Sequence, residues 1–149
     1  MDFYIGVDPG NSGAAAMINA NHQIIDVFKF KDATMRDIFE TFVEWATWPE
    51  GDMKIYAMIE KVHSMPAQGV KSVFTFGENF GALQMALTAS GIPYDYVTPQ
   101  RWQTQLGCKS KGDKNVTKAK AQREWSYKKI THAIADALLI ALYCKEMKG

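Results

Sequence analysis

Residues 3–13 read FYIGVDPGNSG, a short apolar run that ends in an acidic residue and a dense cluster of turn formers. The apolar run predicts a strand ending at Asp8, and the Pro, Gly, Asn and Ser that follow predict a tight turn. Residues 14–18 are small and apolar, and residues 24–30 alternate after a second turn. Short runs joined by tight turns predict a three-stranded antiparallel meander.

The rest of the chain alternates between helical and strand patterns. Thr34 and Asp37 resemble a capping box at the start of a helix. The predicted order after the meander is helix 34–48, strand 54–60, helix 72–90, strand 92–98, a polar connector 99–129 and helix 130–147. This order predicts a single α/β domain over 1–149, with a five-stranded mixed sheet of three antiparallel strands followed by parallel strands, and helices on both faces.

Composition excludes several classes of protein. A chain of 149 residues with 47% hydrophobic and 22% charged residues can bury a core, which argues against a disordered tail or a fibre. An apolar run of the roughly 18 residues needed for a membrane span is not found, nor is a signal peptide. Cys108 and Cys144 lack the spacing and density of disulfides. We therefore expect a cytoplasmic protein of a bacterium or a phage-infected host, with no membrane partner.

Charge is distributed unevenly along the chain. Residues 1–60 carry four basic and ten acidic residues, a net charge of −6, whereas residues 61–149 carry thirteen basic and six acidic residues, a net charge of +7. Residues 101–129 hold nine basic and two acidic residues. A local basic segment indicates either a solvated face or a site for a polyanion, and charge alone does not distinguish them.

Acidic residues stand at positions where the pattern favours apolar or neutral ones. Asp8 ends the first strand, Glu60 ends the fourth, and Asp136 lies within an otherwise apolar helix. His132, four residues earlier, shares a helical face with Asp136. If the four converge, they form an oxygen-rich cluster with one imidazole, suited to Mg²⁺ or Mn²⁺.

Each of these residues also has an interpretation that requires no site. Asp8 before Pro-Gly is a common turn former, and Glu60 could be a solvated strand end. His132 alone fits a helix N-terminal residue. Asp136 is the hardest to explain in this way, because a buried charge needs a partner or a metal.

Several segments together resemble one known family. Residues 5–13 (IGVDPGNSG) resemble the opening motif of the RuvC family of Holliday junction resolvases, within the ribonuclease H-like superfamily. Ile59-Glu60 is similar to that family's second acidic site, and residues 135–141 (ADALLIA) resemble its C-terminal helix motif. Residues 91–102, which begin with GIP and end with VTPQRW, are similar to a stretch of sequence found in the phage-like members of that family. The matching segments span nearly the whole chain and occur in the same order and at the same spacing as in the family.

The resemblance implies a structure-selective DNA endonuclease that resolves four-way junctions. It implies two Mg²⁺ or Mn²⁺ ions per site, with Asp8 bridging both, Glu60 holding one, and His132 and Asp136 completing the ligand set. Hydrolysis would leave a 5′-phosphate and a 3′-hydroxyl. Paired cuts on a nearly two-fold symmetric junction imply a homodimer. The aromatic face of helix 72–90, with Gly77 and Gly81, is a candidate dimer surface, although the chain's own sheet could equally cover it.

The chain departs from the family at two places. Many relatives have an aspartate where this chain has His132, and because imidazole is the softer ligand we expect Mn²⁺ to support activity better than Mg²⁺. In the loop after Glu60, relatives place an aromatic wedge, whereas this chain has His63 and then Met65. Phe74 and Phe76 come later, at a spacing that favours the helical core.

Basic residues supply the expected attraction for DNA, because an acidic centre repels phosphates. One group precedes the final helix: Lys109, Lys111, Lys114, Lys118, Lys120, Arg123, Lys128 and Lys129. Lys61 and Lys71 border the other side of the cleft, and His63 and Arg101 complete the predicted DNA contacts. Trp102 beside Arg101 could stack on DNA, although core packing is the more common role of such a tryptophan.

Three alternatives stay open. The protein could be a relaxed flap, fork or other branched-DNA nuclease, or one that cuts RNA–DNA hybrids. It could also be an inactive DNA-binding module. The PGNSG turn also resembles the phosphate loop of actin-like ATPases, but those need two such domains, so we expect no nucleotide cofactor.

Overall fold

The computed structural model describes residues 1–62 and 69–149, which form a sheet flanked by helices. The strands are β1 (Phe3–Asp8), β2 (Ala14–Asn19), β3 (Ile24–Lys29), β4 (Ile55–Glu60) and β5 (Tyr94–Val97). The helices are α1 (Met35–Trp45), α2 (Val70–Ala89), α3 (Pro99–Gln105), α4 (Lys114–Glu124) and α5 (His132–Lys148). None of the helices in the described ranges has the length and apolarity needed to cross a membrane.

The sheet has the strand order β3-β2-β1-β4-β5. The tight turns after β1 and β2 produce antiparallel β1–β2 and β2–β3 pairs. The β1–β4 and β4–β5 pairs are parallel, because α1 and α2 carry the chain back before each new strand. The predicted mixed five-stranded sheet is confirmed.

Two cores cover the two faces of the sheet, because side chains alternate along each strand. Tyr4, Ala16 and Met58 belong to the core beneath α3, α4 and α5, whereas Ile5 and Val7 belong to the core beneath α1 and α2. The helices therefore lie on both faces, as predicted.

Helix α5 packs directly on the central strand. A Cβ atom at Gly6 would overlap backbone atoms of Ala137 and Ala141, so only glycine permits this approach of helix to strand. Ala135, Ala137 and Leu138 are fully buried. The close contact fixes α5 over β1 at Ala137 and Ala141, directly after Asp136.

The connector 99–129 is more regular than its sequence pattern predicts. It contains α3, which begins at Pro99 after the N-cap residue Thr98, and α4, whose first turn is capped by the preceding Asp113. The buried residues of α4 are only Thr117 and Ala121. The sequence of this helix therefore shows almost none of the helical spacing of apolar residues by which a helix is predicted. The prediction of a polar connector without helices is wrong for this reason.

The apolar residues of α2 do not all face the core. Leu83, Ala86 and Leu87 are its buried residues, while Phe76 and Phe80 are only half-buried. Phe74 is 67% exposed. Its assignment to the helical core is therefore wrong, because its position on the helix points it away from the sheet.

Candidate active site

Two candidate catalytic carboxylates come from neighbouring parallel strands. Asp8 ends β1 and Glu60 ends β4, and the register pairs Val7 with Ile59. Parallel neighbours end at the same edge of a sheet, so both side chains reach that edge together. Asp136 is in the second turn of α5, which Gly6 allows to pack closely over β1.

A single cleft of about 560 Å³ brings the predicted residues together. Asp8, Glu60, His132 and Asp136 all line it. Lys114 and Thr117 of α4 also line the cleft, as does Phe76 of α2. The spacing of four residues between His132 and Asp136 therefore has the predicted effect of placing both side chains on one side of the cleft.

The three carboxylates share an environment that opposes their ionisation. Burial, and then the charges of Glu60 and Asp136, hold the pKa of Asp8 well above its ordinary value. Burial raises the pKa of Glu60 to about 7, with repulsion from Asp136 adding to the effect. Burial also raises the pKa of Asp136. Close anionic groups in a desolvated cleft are the environment that a bound cation relieves.

Lys114 supplies a positive charge to this acidic cleft. Its side chain is exposed at the start of α4, and its charge lowers the pKa values of Asp8, Glu60 and Asp136, against the larger effect of burial. This residue was predicted from sequence as one of eight basic residues near the final helix. Among those, it is the one that lines the cleft itself.

Trp102 holds Glu60 in place. The indole Nε1 donates a hydrogen bond to Oε2 of Glu60 at 2.6 Å. Trp102 is 0% exposed, so it cannot stack on DNA, and its core-packing role is confirmed. The bond to Glu60 was not predicted, although a buried indole N–H normally has a partner.

The turn after Asp8 is anchored to α2. Gly10 N donates to Oδ1 of Asn79 at 2.7 Å, and Gly13 N donates to Gly10 O at 3.0 Å. Gly10 has a φ of 117°, which disfavours other residues. The PGNSG stretch is therefore a constrained turn that orients Asp8, and no nucleotide is needed to explain its glycines.

The donor set of the cleft fits a divalent cation. Oδ1 of Asp136 is buried and has no hydrogen-bond partner in the described part of the chain, which is costly for a carboxylate unless a cation reaches it. Carboxylate oxygens and one imidazole are ligands for Mg²⁺ or Mn²⁺. Within residues 1–62 and 69–149, no three acidic, histidine or cysteine side chains already form a metal-holding group. Binding therefore requires the side chains to converge.

Some of the basic residues predicted to bind DNA lie beside the cleft. Lys118, Lys128 and Lys129 line a groove of about 740 Å³ that shares His132 with the cleft. Lys71 lines a smaller cavity on the opposite side.

The other basic residues lie elsewhere. Lys120 pairs with Glu124 at 3.0 Å, and Lys61 Nζ lies 4.9 Å from the centroid of the Tyr96 ring. The remaining members are exposed without lining these cavities: Arg101, Lys109, Lys111 and Arg123. His63 and Met65 lie outside the described residues.

Comparison with solved structures assigns the architecture. The chain is similar to RuvC of T. thermophilus in complex with a Holliday junction substrate, with a TM-score of 0.66 and 17% identity over 95% of this chain and 91% of that one. The fold is that of RuvC. A second T. thermophilus RuvC structure matches with the same TM-score, 18% identity, and coverage of 94% and 91%. No protein-family model and no curated protein sequence matches the chain.

Proposed function

We propose that this protein is a metal-dependent, structure-selective DNA endonuclease that resolves four-way junctions. The observation that carries the proposal is that Asp8, Glu60, His132 and Asp136 all line one cleft of a RuvC fold. Two further facts support it: Oδ1 of Asp136 has no hydrogen-bond partner among residues 1–62 and 69–149, and a basic groove adjoins the cleft.

The chain's own residues prepare the site for a phosphodiester. Trp102 fixes the orientation of Glu60 through the 2.6 Å hydrogen bond, and the anchored turn does the same for Asp8. Lys114 adds a positive charge where a phosphate would otherwise meet only carboxylates. Two Mg²⁺ or Mn²⁺ ions held by the acidic residues and His132 would supply an activated water and stabilise the leaving 3′ oxygen. The products would be a 5′-phosphate and a 3′-hydroxyl.

Basic residues next to the cleft would hold the DNA backbone. Lys118, Lys128 and Lys129 border the 740 Å³ groove that meets the cleft at His132. Contacts of lysine with phosphate position DNA without reading its sequence, and they make affinity fall steeply with salt. This arrangement favours recognition of a DNA shape over recognition of a base sequence.

A homodimer would place two clefts on one junction. The outward face of α2 carries Val70, Phe74 and Met85, which are 87%, 67% and 63% exposed. A Cβ atom at Gly77 or Gly81 would meet no described atom within 4 Å, so this face is open to the close approach of another helix. An apolar stripe with two glycines is well suited to a second copy of the same helix.

The proposal is tested by separating binding from cleavage. Asp8→Asn removes one carboxylate charge at nearly constant shape, so it should abolish metal-dependent nicking of branched DNA while the basic residues keep junction binding. Gel assays of binding and cleavage on one labelled junction measure both. Full cleavage by Asp8→Asn would exclude this cleft as the active site. Equal cutting of flaps and forks by the unmodified protein would instead favour a relaxed branched-DNA nuclease.

A further inference from the structure

The turn between β2 and β3 lies against the end of α4. His22 belongs to this turn, and Trp125 directly follows α4. The two rings are parallel to within 9°, and their centroids lie 4.7 Å apart. The indole Nε1 of Trp125 also donates a hydrogen bond to the main-chain oxygen of His22 at 3.0 Å. A ring stack and a hydrogen bond therefore join two residues that lie 103 positions apart in the chain.

Glu124 adds charge to this contact. Its Oε2 lies 3.1 Å from Nε2 of His22, although the two atoms are not aligned as in a hydrogen bond. Its Oε1 accepts a hydrogen bond from Nζ of Lys120 at 3.0 Å, which holds the pKa of Glu124 below its ordinary value and keeps the carboxylate charged. We call His22, Trp125, Glu124 and Lys120 the His22 clasp.

The turn that carries His22 is held in one conformation by Asn19. Oδ1 of Asn19 accepts hydrogen bonds from the main-chain N of Asn21 at 2.9 Å and from that of Gln23 at 3.0 Å. Asn19 is the last residue of β2 and only 5% exposed. His22 is therefore presented from a fixed edge of the sheet. Its φ of 67° lies in the left-handed region, which asparagine also adopts readily.

The clasp supports one wall of the basic groove. Trp125, Ser126 and Tyr127 line the groove of about 740 Å³ and also a second groove of about 490 Å³. Residues 125–131 form neither a helix nor a strand. A segment of this kind, with grooves on two sides, depends on its few buried side chains for its position. Trp125 is one of these, at 7% exposed, and His22 covers one face of its ring.

The same segment carries two of the lysines that would hold DNA. Lys128 and Lys129 follow Trp125 by three and four residues, and both are exposed and line the first groove. The second groove is instead lined by the acidic residues Asp26 and Glu124. Phosphates are attracted to the first groove and repelled by the second, so the position of the wall between them determines where the lysines meet DNA.

We propose that His22 is a positioning residue for DNA: its stack on Trp125 holds the segment 125–131 so that Lys128 and Lys129 meet the phosphate backbone. The inference rests on the proposed function, because it assumes that the first groove holds DNA. His22 lines neither that groove nor the candidate active site. The inference therefore gives a role in DNA binding to a residue that acts through another.

The test is a double-mutant cycle on DNA binding. His22→Asn removes the ring and suits the left-handed backbone, and His22→Gly is a second variant without the ring. Asn21→Ala is the matched control in the same turn, where the Asn21 side chain is exposed. Each change is made in the unmodified protein and in Lys128→Ala/Lys129→Ala.

Fluorescence anisotropy in EDTA measures the affinity of each variant for a four-way junction and for its duplex, at salt concentrations from about 50 to about 200 mM. Circular dichroism melting verifies that every variant folds.

The expected result is a change in salt dependence that requires the lysines. His22→Asn should weaken junction binding and make the slope of log affinity against log salt shallower by about 1–2, because each lysine–phosphate contact contributes about 0.9. Asn21→Ala should change neither the affinity nor the slope. In Lys128→Ala/Lys129→Ala, the loss of the His22 ring should have no further effect, whereas a general loss of stability would weaken binding in both backgrounds.

Two kinds of result would overturn the positioning role in a protein that prefers the junction. In the first, the His22 variants leave the slope unchanged, or weaken binding to the same extent with and without the two lysines. In the second, Lys128→Ala/Lys129→Ala itself leaves the slope unchanged. If the unmodified protein shows no preference for the junction over duplex, the proposed function itself fails.

Discussion

The Nε1 atom of Trp102 donates a 2.6 Å hydrogen bond to Oε2 of Glu60 inside the core. Trp102 is 0% and Glu60 9% exposed, so neither group has much access to bulk water. The bond joins α3 to the end of β4 and orients a carboxylate that lines the candidate active site. It also favours the ionised form of Glu60, against the burial that raises the pKa to about 7.

Removing this donor should shift the pH dependence of cleavage. Trp102→Phe leaves a buried carboxylate oxygen without its donor, so the pKa of Glu60 should rise above about 7 and cleavage should require a higher pH. The free energy of unfolding should fall by about 1–3 kcal/mol. Cleavage rates between pH 6 and pH 9 measure the first effect and urea unfolding the second. Trp48→Phe is the control, since Trp48 is 46% exposed; a profile unchanged in Trp102→Phe would contradict the role of the bond.

The metal-free protein should lose stability as pH rises. The pKa values of Asp8, Glu60 and Asp136 are raised in the folded state, that of Glu60 from 4.5 to about 7. The folded state therefore retains protons that the unfolded state releases, and the favourable contribution of these groups is lost as pH rises from the unfolded pKa values near ~4 through the raised ones. Asp8→Asn removes one of the repelling charges.

Asp8→Asn should consequently become more stable relative to the unmodified protein as pH rises from 5 to 8, by about 1–3 kcal/mol. Urea unfolding of both proteins in EDTA at the two pH values measures this difference, and the comparison cancels the titration of groups elsewhere. A difference that is the same at both pH values would show that the carboxylates of the cleft do not repel one another.

His132 should determine which metal supports activity best. Imidazole is a softer ligand than carboxylate, so the unmodified protein should cut faster with Mn²⁺ than with Mg²⁺. His132→Asp should lower the ratio of the Mn²⁺ rate to the Mg²⁺ rate, because it replaces the imidazole with an oxygen ligand. Initial rates at matched metal concentrations measure the ratio. Equal rates with both metals in the unmodified protein, or a ratio unaffected by His132→Asp, would argue against His132 as a ligand.

The outward face of α2 should control oligomeric state. Phe74 is 67% exposed between Gly77 and the start of the helix, so Phe74→Glu would place a charge in the proposed dimer contact without entering the core. Analytical ultracentrifugation should find a dimer for the unmodified protein and a monomer for Phe74→Glu. Phe39→Glu, at a second exposed apolar position on α1, should remain dimeric. Sedimentation of the unmodified protein as a monomer would contradict the proposed interface.

The sequence predicts the sheet and the acidic site because both leave strong local signals. The antiparallel meander follows from tight turns between short apolar runs, and Asp136 is conspicuous because apolar residues flank it on both sides. The sequence leaves the meeting of Asp8 and Glu60 as a condition, and the structure meets it because the parallel strands β1 and β4 end at one edge of the sheet. These inferences depend on order and periodicity, which the sequence carries.

Other features depend on distant contacts that no local pattern encodes. Helix α4 buries only Thr117 and Ala121, so its amphipathic period is too weak to distinguish it from a polar connector. The bond from Trp102 to Glu60 joins residues 42 positions apart in the chain. Phe74 and Phe76 are two positions apart, which places them on different sides of α2, and the packing of α2 on the sheet decides that Phe76 is the one that lines the cleft.

The most direct test of the central claim is cleavage of a labelled, immobile four-way junction with Mn²⁺ or Mg²⁺, beside matched flap and duplex substrates. Product ends are mapped on all four strands, with Asp8→Asn as the inactive control. Our account predicts symmetric paired nicks on the junction, little or no cutting of duplex and flap, and no cutting by Asp8→Asn. Junction binding without cleavage in either metal would contradict it, because a cleft formed by Asp8, Glu60, His132 and Asp136 would then lack the proposed chemistry.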